Sequence, residues 1–164
     1  MFDRFGEFGS AVEINETAVN LRKEGDTESI MALAAENGIA AEIAGVFISG
    51  DILYLCDDMT AAIGKIQVEG GELRPEEIMA DWIEYIKARC FEDEKMAAAV
   101  RAKGKSLKGC IGALLKWSFK NQAPVDRDII KESGISAGKV ALGIPGMGTA
   151  KKIITEYYLG KQGA

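Results

Sequence analysis

The hydrophobic residues of this chain recur at intervals of three and four positions over most of its length, which is the period of amphipathic α-helices. The pattern is clearest from Pro75 to about Phe91, where we expect a helix. Its predicted buried stripe consists of Ile78, Met79, Trp82, Ile83, Ile86 and Cys90. Proline is favoured in the first turn of a helix and carboxylates near its positive end, so Glu76 and Glu77 support this prediction.

Capping residues predict two helices in the N-terminal region. Ser10 followed by Glu13 has the spacing of a capping box, and the apolar positions after it predict a helix that ends near Gly25. Asp26 can cap a second helix, which we expect to continue to about residue 37. The glycine that follows is well placed to end this helix in the left-handed conformation.

Glycines interrupt the pattern in the next part of the chain. A third helix is predicted from Asp51 to about Val68, although Gly64 should weaken it by about 1 kcal/mol relative to alanine. We expect Gly70 and Gly71 to form a hinge or loop after it.

Three further helices are predicted before the C-terminal segment. Asp93 opens a helix that the run from Lys103 to Ser106 breaks, and the next helix extends from about Ser106 to Lys120. Asp126 can cap a short helix that ends at Ser133. These elements predict the all-α fold class, as a compact multi-helix domain.

The helix predicted to end at Lys120 has two distinct faces. At 100° per residue, one side gathers Leu107, Cys110, Ile111, Leu114 and Leu115. A sector of about 120° on the other side gathers Lys105, Lys108, Lys116 and Lys120, with Gly109 and Gly112 in its middle. Mid-helix glycines cost stability, so they indicate close approach of a phosphate or of another backbone. A solvated lysine face beside a closely packed neighbouring helix is the other interpretation, and both stay open.

The segment from Val140 to Ile154 resembles the helix-hairpin-helix DNA-binding motif. The matching residues are Ile144, Pro145, Gly146, Met147, Gly148, Ala150 and Ile153. The resemblance implies that backbone amides of the hairpin and the N-terminus of its second helix bind a DNA phosphate. Gly138 and Gly143 depart from the motif, because they leave its first helix short and weak.

The spacing of this segment is also informative without the resemblance. Gly146 and Gly148 permit positive φ and close approach, and Met147 can fill the core. The predicted buried stripe of the following helix is Ala150, Ile153, Ile154, Tyr157 and Tyr158, which leaves Lys151 and Lys152 outside to meet a phosphate. A purely structural turn is the alternative. A nucleotide-binding P-loop is not indicated, because Thr149 stands where that motif requires lysine.

The charges are segregated along the chain, although the 164 residues carry a net charge of only -5. Residues 1–94 contain 21 Asp and Glu against 7 Lys and Arg, whereas residues 95–164 contain 13 Lys and Arg against 4 Asp and Glu. We therefore expect an acidic N-terminal helical region over 1–70. A helical core with a basic C-terminal part follows over 71–164, packed with it as one unit. A one-signed surface either binds polyanions or imitates them.

The acidic residues predict a partner-binding surface and not an active site. Adjacent carboxylates on a helix point about 100° apart, so they do not converge on a metal or on an acid-base pair. The candidate contacts are Asp57, Asp58, Glu76, Glu77 and Glu84.

Several classes of protein are disfavoured by composition. Histidine is absent, which excludes Ser-His and Cys-His nucleophile pairs, and the three cysteines have neither disulfide-framework nor zinc spacing. We therefore predict no catalytic residue, metal or cofactor, and expect the cysteines to be buried. The longest apolar stretch, Ala40 to Ile48, is interrupted by Glu42, and the N-terminus is unlike a signal peptide. These features favour a cytoplasmic protein without a membrane partner.

Three segments carry a resemblance over nearly the whole chain, from about Phe5 to Gly160. They are EEIMADWIEYIKARC, KGKSLKGCIGALLKWSFKNQ and KVALGIPGMGTAKKIITEYYLG. Together they resemble the ninth named family of type II-A anti-CRISPR proteins, which inhibit Cas9-type RNA-guided nucleases. The middle of the chain, Ile78 to Ile130, is also similar to PcfK-like proteins of conjugative elements.

The resemblance implies binding to the nuclease, or to its complex with guide RNA, and loss of DNA cleavage. It also implies an origin in a phage or another mobile genetic element. The acidic helices around Asp51–Asp58 and Glu69–Glu94 are the candidate contacts, because such nucleases hold nucleic acid in positively charged channels. The alternative is a nucleic-acid-binding accessory protein that contacts DNA or RNA phosphates through the hairpin and the lysines. Those lysines could instead meet the acidic half of a second copy, which would give a homodimer.

Overall fold

The structure, a computed structural model, describes residues 4–160 and confirms the all-α fold class for that part of the chain. It contains nine α-helices and one two-stranded antiparallel sheet between residues 4 and 160. The first seven helices are α1 (Ala11–Glu24), α2 (Thr27–Glu36), α3 (Ala41–Ser49), α4 (Asp58–Leu73), α5 (Ile78–Glu92), α6 (Glu94–Arg101) and α7 (Leu107–Lys120). The remaining elements are β1 (Ala123–Pro124), α8 (Arg127–Glu132), β2 (Ala141–Leu142) and α9 (Met147–Leu159).

The chain divides into two compact units. The first ends at Gly109 and the second begins at Cys110, so the boundary lies within α7. Residue 70, the expected end of the acidic region, lies inside α4. Among the helices that the structure describes, none has both the length and the apolar character that crossing a bilayer requires.

The predicted caps of the first two helices are confirmed. Ser10 Oγ accepts a hydrogen bond from the Glu13 N–H (3.2 Å), and α1 ends at Gly25 with φ 73°. Asp26 accepts a hydrogen bond from Ser29 N (2.9 Å) and starts α2, and Gly38 follows that helix with φ 65°. These short-range signals therefore fix both helix starts and both stops.

The prediction of a helix from Asp51 was wrong at its beginning. A separate helix, α3, occupies Ala41–Ser49 and ends at Gly50, whose φ is 89°. The residues between Gly50 and Asp57 are irregular, and α4 begins only where Asp57 can cap it by accepting a hydrogen bond from Thr60 N (2.7 Å). The cap, and not the apolar pattern, decides where this helix starts.

The expected hinge at Gly70 and Gly71 was also wrong, because both residues lie inside α4. The helix ends at Arg74, which takes the left-handed conformation with φ 45°. Pro75 consequently lies outside the next helix, and α5 begins three residues later, after Glu77 with φ 51°. The turn is therefore made by two non-glycine residues with positive φ, which composition alone does not indicate.

The core of the first unit forms where α1 to α4 meet. Its fully or nearly fully buried residues include Ile14, Ala18, Ile30, Leu33, Ala34, Ala44, Phe47, Leu55 and Ala61. The predicted stripe of α5 is confirmed for Trp82, Ile83, Ile86 and Cys90, whereas Met79 is exposed. Alanines are frequent in this core, so the helices can approach closely.

Gly64 is one of the close approaches in this unit. A Cβ atom built on it would overlap the carbonyl oxygen of Asn37, which follows α2. The sequence indicates this glycine only as a weak point of the helix. The structure shows that glycine is required there for the backbone of α4 to touch the end of α2.

Buried charges link α4 to α6, the most extensive helix pair in the described part of the chain. The Lys65 side chain is 1% exposed, and its Nζ donates to Glu7 Oε1 (2.8 Å) and to the carbonyl oxygens of Ala102 (3.2 Å) and Lys105 (2.6 Å). All three protons of the ammonium group are thus used, which offsets the cost of burying its charge.

Two further polar residues complete this buried network. The Glu69 carboxylate accepts a hydrogen bond from the Leu107 N–H at the start of α7. Burial raises the pKa of the Glu69 carboxyl, while that N–H and the Lys65 ammonium group oppose the rise. Arg101, which is fully buried, donates to Asn37 Oδ1 (2.5 Å). The network therefore joins α2, α4, α6 and the start of α7.

In the second unit, Tyr158 of α9 lies beside Cys110 of α7. The pairs Ala123–Leu142 and Pro124–Ala141 form the short sheet, and α8 lies in the connection between its strands. The residues of this unit buried below one-tenth exposure include Cys110, Leu114, Pro145, Ala150, Ile154 and Tyr158. The predicted buried stripe of α9 is confirmed at Ala150, Ile154 and Tyr158, and Ile153 and Tyr157 are half-buried.

Gly64→Ala should lower the free energy of unfolding by about 1–3 kcal/mol, because the added methyl group has no space against Asn37. Gly71→Ala is the matched control in the same helix, since a Cβ there meets no atom within 4 Å. The control should be neutral or stabilise the protein by up to about 1 kcal/mol. Chemical denaturation followed by circular dichroism measures both, and equal effects would contradict the close approach.

Lys65→Met should destabilise the protein by about 3–5 kcal/mol, because it removes the donor of Glu7 and of two carbonyl oxygens and takes the counter-charge away from the buried Glu69 carboxylate. Lys103→Met is the control, since Lys103 is 59% exposed and its ion pair with Glu13 is solvated. That change should leave the unfolding midpoint nearly unchanged. Denaturation curves with similar midpoints for both variants would show that the buried network does not hold the helices together.

Candidate interaction surfaces

The five candidate partner-binding carboxylates lie in two separate groups. Asp57 and Asp58 are at the start of α4, whereas Glu76 and Glu77 follow its end and Glu84 lies in α5. The 16 residues of α4 span about 24 Å at the helical rise of 1.5 Å per residue. The structure therefore brings the first two together and separates them from the other three.

An open groove of about 810 Å³ lies beside the first group. One wall is a face of α1 that is not part of the buried core, and the other is the segment from Tyr54 to Asp58. The lining residues are Val12, Asn15, Glu16, Val19, Asn20, Lys23, Tyr54, Cys56, Asp57 and Asp58.

Asn15 holds the two walls of the groove together. Its Oδ1 accepts hydrogen bonds from the N–H groups of Leu55 (2.8 Å) and Cys56 (3.1 Å), and its Nδ2 donates to the Cys56 carbonyl oxygen (2.8 Å). An asparagine on a helix thus satisfies an irregular backbone that has no strand partner. The wall is consequently fixed in position before any partner binds.

The groove carries three carboxylates and one lysine. Asp57 caps α4, and its hydrogen bonds with Thr60 hold the pKa of its carboxyl below the usual range. Glu16 and Asp58 form no hydrogen bond or ion pair through their side chains with any residue between 4 and 160. With Lys23 as the single cation, the groove is negative and two of its carboxylates are available to a partner.

Apolar side chains accompany these carboxylates. Val12 and Tyr54 line the groove and are 61% and 66% exposed, and Leu53 beside them is 70% exposed. Sequence reasoning missed Val12, Glu16 and Tyr54 as candidate site residues. A usable signal was present, because Val12 and Glu16 lie one helical turn apart on a face that excludes the buried residues Ala11, Ile14 and Ala18.

The second acidic group lies beside a smaller hollow of about 340 Å³ between α4 and α5. Glu84 is already paired there, since its Oε1 lies 2.6 Å from Lys87 Nζ, and both side chains line the hollow. Glu76 and Glu77 are exposed in the turn before α5. This group is negative overall, but its hollow presents one charge of each sign.

The candidate lysines near α7 differ in their environment. Lys105 is half-buried and its carbonyl oxygen accepts the hydrogen bond from Lys65, which gives that backbone a structural role. Lys108 and Lys116 are exposed on α7. A Cβ atom on Gly112 would meet nothing within 4 Å among the described residues, so packing of another helix does not explain that glycine.

The helix-hairpin-helix interpretation of the C-terminal segment is not confirmed. Residues 135–146 contain strand β2 and no helix. Gly143 explains the difference, because its backbone lies so close to the Ser118 carbonyl oxygen that a side chain would not fit. This contact holds the segment as an extended chain against α7, where the motif requires a helix.

The turn does not use the backbone freedom that its glycines permit. Neither Gly146 nor Gly148 has a positive φ, and Gly146 instead precedes α9 in an extended conformation with φ -60°. Met147 is 41% exposed and does not fill the core. The N-terminus of α9 has no side-chain cap, and Lys151 and Lys152 are exposed in its first two turns, as expected.

The cysteines are buried and widely separated, as expected. Burial raises the pKa of each thiol, Cys56, Cys90 and Cys110, to about 12. Between residues 4 and 160 no cluster of three or more Cys, Asp or Glu residues has the arrangement of a metal site. The described side chains thus offer charged and apolar contact surfaces.

Comparison with protein families, curated proteins and solved structures finds no match for this chain.

The three thiols should react slowly with a disulfide reagent such as DTNB at pH 8 in the folded protein. A pKa of about 12 leaves roughly one thiol in ten thousand as the reactive thiolate at that pH. Unfolding in guanidinium should allow all three thiols to react rapidly, and the unfolded sample serves as the control. A rapid stoichiometric phase in the native protein would contradict burial of the corresponding cysteine.

Proposed function

We propose that this protein is a non-enzymatic inhibitor that binds a Cas9-type RNA-guided nuclease, or its complex with guide RNA, and blocks DNA cleavage. The observation that carries the proposal is the resemblance from Phe5 to Gly160 to an anti-CRISPR family. The helical fold and the exposed carboxylates of the first unit support it. They offer a surface that competes with nucleic acid for a positively charged channel.

The charge balance of the first unit supports imitation of nucleic acid. Residues 4–109 contain 20 Asp and Glu against 12 Lys and Arg, and two of those cations, Lys65 and Arg101, are buried. The cations that remain at the surface are consequently fewer than the composition indicates. An acidic surface of this kind also accelerates encounter with a basic partner at low salt.

A nucleic-acid-binding accessory protein of a mobile element is the second candidate. It is favoured by the open N-terminus of α9, which has no side-chain cap and lies beside the exposed Lys151 and Lys152. Backbone N–H groups at a helix start attract phosphate, and two lysines would strengthen that attraction. The missing first helix of the hairpin weakens this candidate relative to the inhibitor.

A cleavage assay with purified nuclease, guide RNA and target DNA tests the inhibitor. Cutting should fall in proportion to added protein and recover when salt screens the acidic surface. Undiminished cutting at excess protein would overturn the proposal. Direct DNA binding that falls steeply with salt, together with undiminished cutting, would identify the accessory protein instead. The double variant Lys151→Glu, Lys152→Glu should abolish DNA binding by the accessory protein. If the protein is instead an inhibitor that uses its acidic surface, this variant should still inhibit the nuclease.

A further inference from the structure

We infer that the groove between α1 and the segment from Tyr54 to Asp58 is the docking site, and that it takes an arginine-bearing segment of the nuclease. The inference rests on the proposed function for the identity of the partner. Of the two acidic groups, it assigns the contact to the one that contains Asp57 and Asp58. It also gives contact roles to Val12, Glu16 and Tyr54, which were not predicted from the sequence.

The groove differs from the hollow between α4 and α5 in its volume and in having carboxylates without an ion-pair partner. Its volume is about 810 Å³ against about 340 Å³, so it accommodates several side chains of a partner. Glu16 and Asp58 are without hydrogen-bond or ion-pair partners among residues 4–160, whereas Glu84 is engaged by Lys87 at 2.6 Å. A cation that enters the groove therefore displaces no existing ion pair.

The chemistry of the walls favours arginine over lysine. A guanidinium group presents a planar set of donors to carboxylates and stacks on an aromatic ring, and it is more weakly hydrated than an ammonium group. Glu16 and Asp58 supply the carboxylates and Tyr54 supplies an exposed ring in the same groove. The apolar surface of Val12 and Val19 can cover the aliphatic part of the side chain or an adjacent apolar residue.

The groove is also rigid enough to select one geometry. Asn15 fixes the backbone of Leu55 and Cys56 by three hydrogen bonds, and Asp57 fixes the start of α4. A partner consequently meets walls that are already ordered, which lowers the conformational cost of binding. These two residues are kept unchanged in the test, because their replacement would unfold the walls.

The first experiment measures affinity for the purified nuclease with its guide RNA. The groove variant is Glu16→Lys with Asp58→Lys, and it should bind at least about tenfold more weakly than the wild type. The matched control is Glu28→Lys with Glu42→Lys, which changes the net charge equally. Like Asp58, Glu28 and Glu42 lie in the first turns of their helices, and all four residues are exposed. The control should bind within about threefold of the wild type.

Aromatic variants test the stacking role separately. Tyr54→Ala should weaken binding about fivefold or more, whereas Tyr54→Phe, which keeps the ring, should stay within about twofold. Equal loss in the groove variant and the control variant would show that only total charge matters and would overturn the inference. Loss confined to Glu76→Lys with Glu84→Lys would overturn it also, by placing the contact at α5.

A second experiment needs no nuclease and separates this inference from the proposed function. N-acetyl-arginine-amide is titrated into the isotope-labelled protein, with N-acetyl-lysine-amide as the comparison. Arginine should shift the backbone resonances of Val12, Glu16 and Tyr54 at several-fold lower concentration than lysine does. Absence of such shifts overturns the inference even where the nuclease is inhibited, and their presence without inhibition overturns only the proposed function.

Analytical sedimentation tests whether a second copy of the chain occupies the groove instead of the nuclease. If the wild type self-associates and the Glu16→Lys, Asp58→Lys variant does so no longer, while inhibition is unchanged, then a second copy fills the groove and the inference is overturned. Equal sedimentation of wild type and variant, with inhibition lost in the variant, supports the nuclease as the occupant.

Discussion

The first unit depends on the buried ammonium group of Lys65. This group is satisfied by Glu7 and by two carbonyl oxygens of the loop between α6 and α7, while Glu69 one turn away accepts the first N–H of α7. Because a buried charge is tolerated only when its protons are used, these partners must assemble together. The loop after α6 and the segment before α1 are thereby tied to α4, and the helix packing of the unit follows from that requirement.

The groove depends in a similar way on a single side chain. This side chain is neutral, and its hydrogen bonds satisfy backbone groups. Asn15 satisfies Leu55 and Cys56, so a segment without regular structure is held as firmly as a strand. Placing Asp57 at the end of that segment then starts α4 and leaves Asp58 exposed in its first turn. The acidic wall is therefore a consequence of helix capping, and its charges also lie where the helix dipole favours them.

Local signals predicted much of the fold, and long-range contacts explain the errors. Ser10, Asp26, Asp93 and Asp126 mark helix starts correctly because a cap depends on residues only two or three positions away. The helix expected through Gly143 is absent because that backbone packs against Ser118, a contact that no local pattern contains. Asp57 and Asp58 were identified from sequence, but the groove beside them was not. Its opposite wall comes from residues some forty positions earlier.

The way Asn15 builds the groove has a consequence for how its specificity can change. The asparagine binds main-chain atoms of Leu55 and Cys56 and makes no demand on the side chains of Leu53, Tyr54 or Asp58. Substitutions at those three exposed positions can therefore retarget the surface without refolding the protein. The scaffold and the exposed side chains of this short segment are therefore separable, which suits the segment to sequence divergence and to deliberate redesign.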